Sequence, residues 1–160
     1  MSSNALVATA LALAIAAPPP ATGPTVVWQG AARSKPLCTF DGSICWEGAT
    51  RSRALCNIRG TIVWEGATQS RALFNLSDSV AWEGATRSKA LFSIRRDLVW
   101  EGASQSKALA NFNDKQLWSG ATRSTAIANG TETLDPMQRA VVVYLFARGT
   151  DGQNPNKRVP

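Results

Sequence analysis

The sequence predicts an all-β protein assembled from six copies of an 18-residue repeat. Three observations carry that expectation. Trp28, Trp46, Trp64, Trp82, Trp100 and Trp118 recur at steps of 18 residues with no insertion. Each copy contains two short runs rich in β-branched and aromatic residues, the composition of strands. Small polar or Gly-containing segments separate those runs, the chemistry of turns. A helical repeat needs about 33 residues or more, and a propeller blade about 40, so neither fits this period.

Positions within a copy are numbered here from the residue before Trp. Positions 18 to 4, such as Leu98-Val99-Trp100-Glu101-Gly102, form the first strand-like run. Positions 5–8, typically Ala-Thr-Arg-Ser, form a small polar turn. Positions 9–14, such as Lys89-Ala90-Leu91-Phe92-Ser93-Ile94, form the second run. The connection after it varies among copies: Asp41-Gly42-Ser43, Arg59-Gly60-Thr61, Ser77-Asp78-Ser79. Such variation suggests an exposed turn.

Two architectures satisfy this pattern. In a parallel β-solenoid, or β-roll, each copy is one coil and equivalent positions stack about 4.8 Å apart. In an antiparallel meander, prism or barrel, each copy is a hairpin. Equal spacing favours the solenoid, because each coil must overlie the last. On that view the six Trp side chains share the interior with positions 10, 12 and 14 and dominate the core. Positions 1 and 11 then leave apolar residues on the outer faces, including Leu37, Leu55, Leu73, Leu91 and Leu109. A stripe of this kind should not face water in a monomer.

Charge points the same way. Glu47, Glu65, Glu83 and Glu101 recur at position 3, and Arg53, Arg71, Lys89 and Lys107 at position 9. Stacked like charges repel by about 0.9 kcal/mol per neighbour even at the dielectric of water. In a single coil the two ladders lie on opposite faces. Contact between the first-strand face of one chain and the second-strand face of another would pair them. These leucines, glutamates and basic residues are therefore the expected interface of a homo-oligomer, with a trimer as the simplest closed ring.

The three cysteines fit the same picture. Cys38 and Cys56 both occupy position 12, and stacked coils would bring them into disulfide range. Cys45, at position 1, would lie on the inter-chain face.

The chain divides into residues 1–25, 26–134 and 135–160. Residues 1–25 carry no charge and contain a 13-residue apolar run, 5–17, followed by Pro18-Pro19-Pro20. Thirteen residues are too few to span a bilayer, so no transmembrane segment is expected. The run is expected to anchor the chain by packing with its own copies or on other virion or surface proteins. Ala140-Val141-Val142-Val143-Tyr144-Leu145-Phe146 reads as a strand capping the last coil, after the break at Asp135-Pro136. Gly149–Pro160 reads as a polar tail.

No catalytic constellation emerges. The chain has no His, which excludes imidazole bases and a Ser-His-Asp triad. No cofactor or metal is expected, since no close Cys pair or His ligand exists. The net charge of +6 is thinly spread and accompanied by Glu, so nucleic-acid binding is not favoured.

The run Gly-Ala-Thr-Arg-Ser-Lys-Ala-Leu, 84–91, resembles the G-x-x-x-S-x-A-[LI] pattern in heads of trimeric autotransporter adhesins. That resemblance implies a trimeric, left-handed parallel β-roll. The chain also resembles bacteriophage fibre and decoration proteins in its short length and apolar N-terminus. Together these imply a non-enzymatic structural protein: an oligomeric rod serving as a virion fibre or decoration subunit. The alternative is a secreted surface adhesin or glycan-binding repeat protein.

Overall fold

The computed structural model describes residues 23–113 and 115–148. The segment 5–17 and the tail 149–160, for which anchor and tail roles are expected, lie outside the described residues.

Each repeat supplies one short and one longer strand. The twelve are β1 (Thr25–Gln29), β2 (Pro36–Asp41), β3 (Ile44–Glu47), β4 (Ala54–Arg59), β5 (Ile62–Glu65), β6 (Ala72–Ser77), β7 (Val80–Glu83), β8 (Ala90–Arg95), β9 (Leu98–Glu101), β10 (Ala108–Asn113), β11 (Gln116–Ser119) and β12 (Ala126–Asn129). Every strand pairs antiparallel with its neighbours in sequence. β1 also pairs with β12, through Trp28↔Asn129 and Gln29↔Ala128, so the sheet closes into a barrel. Closure removes both sheet edges, which would otherwise offer unpaired backbone groups.

The chain is thus all-β, but the barrel, not the parallel solenoid, is the architecture. The pairing explains the difference. Two-residue connections such as Gly42-Ser43 and Gly60-Thr61 join strands that run back beside each other, as in a hairpin. Gly42 (φ 58°) and Gly60 (φ 60°) adopt the left-handed conformation those tight turns require. Equal spacing arises because each copy adds one identical hairpin around the ring.

Antiparallel register also decides which face is inside. Position 1 lies opposite position 12: Val27↔Cys38, Cys45↔Cys56, Val63↔Phe74, Ala81↔Phe92, Val99↔Ala110 and Leu117↔Ala128. All of these side chains are 0% exposed and belong to one core. Trp follows position 1 and so points to the outer wall. The expectation of a Trp core is corrected: Trp28, Trp46, Trp64, Trp82, Trp100 and Trp118 are all half-buried on the outside. A β-bulge between positions 1 and 2 recurs in each copy, leaving the position-11 Leu as the extra residue, for example Leu55 between Ala54↔Trp46 and Cys56↔Cys45.

Twelve strands enclose more space than their own side chains fill, since about eight strands suffice for a side-chain-filled interior. The C-terminal segment occupies it. Helix α1 (Pro136–Val142) continues as a π-helical turn over Val143–Ala147. Ala140, Val141, Val142 and Val143 are all 0% exposed. A helix that is apolar all round is one that is buried all round. Tyr144 packs on Phe74 with ring centroids 5.0 Å apart, and Phe74 meets Phe92 edge-on at 6.0 Å. The expected capping strand is therefore a plug helix. Its start is an Asp135 N-cap: the carboxylate accepts from the Gln138 N–H at 2.8 Å, and Gln138 Oε1 accepts from the Asp135 N–H at 3.1 Å. Pro136 follows at the position where a missing N–H costs nothing.

The charges are satisfied within each hairpin. Arg53–Glu47 (3.4 Å), Arg71–Glu65 (3.3 Å), Lys89–Glu83 (3.2 Å) and Lys107–Glu101 (3.3 Å) pair across the base of one loop. The two ladders need no second chain to meet. Exposed pairs of this kind contribute about 0–1 kcal/mol each. The leucine stripe is likewise accommodated inside the chain. Leu91 is 6% exposed, and Leu37, Leu55, Leu73 and Leu109 are half-buried and pack on the core.

Candidate binding surface on the outer wall

The outer wall is organised by the loops after each Trp strand. In the third copy, Gly66 (φ 63°) turns the chain, and its N–H donates to the Leu55 carbonyl at 3.0 Å. The following residues drape back over the outer face of β4. There Asn57, only 1% exposed, donates from Nδ2 to the carbonyls of Gly66 (3.1 Å) and Thr68 (2.9 Å). Asn111 makes the same two bonds to Gly120 (3.0 Å) and Thr122 (3.1 Å). Asn75 reaches Thr86 at 3.0 Å, Asn129 reaches Ala31 at 2.7 Å, and Thr39 reaches Gly48 at 2.7 Å. Ser93 makes no such bond, and its hydroxyl is buried without a partner. Position 13 therefore acts as a peg that holds the loop against the wall. Further along the loop, Arg51 reaches Asp41 at 2.9 Å and Arg33 reaches Glu132 at 3.4 Å.

Beside each peg stands a Trp. Asn57 lies opposite Trp64 and Asn111 opposite Trp118 in register. On its other side Trp64 lies opposite Ala72 of the next strand, next to the bulge at Leu73. For Trp46 and Trp118 the Nε1–H is enclosed without a hydrogen-bond partner. The loop also presents a pair of hydroxyls at hydrogen-bond distance: Thr50–Ser52 (3.0 Å), Thr68–Ser70 (3.1 Å), Thr86–Ser88 (3.2 Å), Ser104–Ser106 (3.0 Å) and Thr122–Ser124 (3.2 Å). In the first copy Ala32 replaces the Thr. These loop residues are exposed in every copy. Five copies thus offer the same set: an indole, two hydroxyls and a polar Arg or Gln at position 7. Sequence reasoning alone does not single out the hydroxyl pair. Its one signal there is the invariant Ser at position 8.

The cysteines sit elsewhere, on the inner wall. Cys38, Cys45 and Cys56 are all buried free thiols. The Cys38–Cys56 disulfide that stacked coils would have made possible does not form: β3 lies between their strands, and Cys45, not Cys38, faces Cys56. Cys45 shares side-chain hydrogen bonds with Cys38 and Cys56. Those bonds, followed by burial, push its pKa far above the ordinary thiol value. Cys45 is thus held protonated, the opposite of a reactive thiolate. Among the described residues no group of three His, Cys, Asp or Glu side chains is arranged to hold a metal ion.

The residues expected at an oligomer interface fall into two separate places. The Glu and basic residues ring one mouth of the barrel, near the plug's Tyr144, whose pKa is raised mainly by burial. The leucines sit at the bulges and pack against the core. No protein-family model, curated protein or solved structure matches the chain.

Proposed function

We propose that this chain is a non-enzymatic, multivalent glycan-binding module whose sites repeat around the outer wall of the barrel. One observation carries this. Two sets of loops are equally exposed, yet only one is free to vary. Positions 16 and 17 run Gly42-Ser43, Gly60-Thr61, Asp78-Ser79 and Arg96-Asp97. Positions 5 and 8 are Ala and Ser in all six copies. Folding accounts for the Gly at position 4 through its positive φ, but not for an exposed hydroxyl pair. Repeated exposed hydroxyls beside a half-buried indole suit a sugar, which needs an apolar ring face to stack on and hydrogen bonds to its hydroxyls.

Display on a virion or cell surface through residues 1–25 belongs to the same proposal. A closed barrel has no edge to extend by strand addition. It therefore suits a discrete decoration subunit or surface adhesin better than a rod of stacked coils.

A neutral-glycan microarray, followed by isothermal titration of the best ligand, tests the proposal. About five equivalents should bind per chain, matching the five hydroxyl pairs. The double change Thr68→Ala and Ser70→Ala should remove one equivalent and leave the melting temperature within about 2 °C. An array without hits, or a stoichiometry untouched by the double change, would refute it.

A further inference from the structure

A second, unrelated feature lies where the plug enters the barrel. Leu76, Ile94, Leu134 and Pro136 line a cavity of about 440 Å³, joined by Ser79, Arg96 and Arg139. Small-molecule sites typically occupy about 300–1,000 Å³.

Two independent observations mark it as built rather than incidental. The first is an unanswered cation. The Arg139 guanidinium lies 5.2 Å over the Phe112 ring, and its Nε is enclosed without a hydrogen-bond partner. Among the described residues neither Arg96 nor Arg139 has a carboxylate in ion-pair range. Asp135, four residues before Arg139, is occupied as the helix cap.

The second is backbone strain. Arg96 (φ 56°) and Asp78 (φ 53°) hold left-handed conformations at the position where the first two copies carry Gly42 and Gly60, and Ser79 (φ 65°) adds a third. A residue with a Cβ is disfavoured there. Gly at the same position in the first two copies avoids that strain, so Arg96 carries a conformational cost. Arg96 and Ser79 both line this cavity. Strain that persists in this way gathers at functional sites.

We propose that the cavity binds a medium-chain carboxylate. The acyl chain lies on Leu76, Ile94 and Leu134, and the carboxylate sits between Arg96 and Arg139. Guanidinium groups favour such planar anions through paired, charge-assisted hydrogen bonds.

The test is isothermal titration of the full chain with decanoate and with 1-decanol, both below their solubility and micelle limits. Decanoate should bind one to one, and decanol at least about tenfold more weakly, the worth of one charge-assisted bond. Arg96→Gly should raise the melting temperature by relieving strain, yet weaken decanoate about tenfold. Arg96→Lys should keep part of the affinity. No saturable decanoate binding, equal affinity for decanol, or an Arg96→Gly chain that binds decanoate unchanged would each overturn the proposal.

Discussion

Replacing Asn111 with Ala removes the peg that fixes one loop, and its cost follows from the geometry. Asn111 is 7% exposed and donates to Gly120 and Thr122 at 3.0 and 3.1 Å. Each bond is worth about 0.5–1.5 kcal/mol net, so losing both costs about 2 kcal/mol. The Thr122 carbonyl lies in an exposed loop and can turn to water, which keeps the loss from rising further. At about 2–4 °C per kcal/mol for a chain of this size, the melting temperature should fall by about 4–8 °C. The fold supplies its own control. Ser93 occupies the same repeat position with a buried hydroxyl that bonds nothing. Ser93→Ala should therefore cost under about 0.5 kcal/mol. Ser93→Asn should gain about 1 kcal/mol by reaching the carbonyls of Gly102 and Ser104, as Asn111 reaches theirs. Urea unfolding followed by Trp fluorescence reads all three, since Trp118 lies opposite Asn111 in register. If Asn111→Ala costs no more than Ser93→Ala, the peg is not what holds the loop.

Three further outcomes are expected. Gly48 has φ 62°, and a Cβ at that position would meet nothing within 4 Å, so Gly48→Ala should cost about 1–2 kcal/mol through conformation alone, read as a lower urea midpoint. Asp135→Ala removes the carboxylate half of the capping box and should cost about 1 kcal/mol, with the plug's Tyr144 near-ultraviolet dichroism weakened before global unfolding. Cys45 is held protonated in the folded chain, while an unfolded thiol ionises near pH 8.5. Its contribution is therefore complete below that pH and declines as pH rises above it, by about 1.4 kcal/mol per unit. A urea midpoint that stays level from pH 7 to 10 would contradict this.

Strand positions are largely legible in the sequence because local chemistry sets them. The pattern predicts a strand at positions 18 to 4, and positions 18 to 3 form one; it predicts another at 9–14, and 10–15 form it, as β9 and β8 show. Orientation is not legible, because both faces of the short strand are apolar. Val99 and Trp100 each look like core residues, and size alone favours the wrong one for the interior. Only the register Val99↔Ala110 decides between them, and register is a property of the pair. The plug misleads for a related reason. Val141-Val142-Val143 has high strand propensity, but burial on all sides overrides propensity. The correcting signal stands at Asp135-Pro136-Met137-Gln138: a cap, a Pro at the first helical position and a Gln three residues after the cap. The candidate binding surface is half legible. Its Ser and Trp are visible as repeats, whereas the loop's fold back over the wall depends on Asn side chains that look like ordinary surface residues.

The repeat and the plug answer the same problem of space, and removing one should expose the other. Identical hairpins close a ring only at a number of strands set by their twist and tilt, and here that number is twelve. The inner belt is built partly from small residues, Cys38, Cys45, Cys56, Ala81, Ala110 and Ala128, so it cannot fill its own lumen. Val141, Val142, Val143 and Leu145 do so, at 0, 0, 0 and 8% exposure. At about 1.5–3 kcal/mol for each buried side chain, these four alone contribute about 8 kcal/mol. That is comparable to the whole stability of a typical domain, about 5–15 kcal/mol. A chain ending at Leu134 should therefore lose its cooperative urea transition and bind a hydrophobic dye, and a peptide spanning 131–148 should restore both properties when added in trans. Unchanged cooperative unfolding of the shortened chain would mean that the hairpin ring stands on its own and that the helix is an ornament to it.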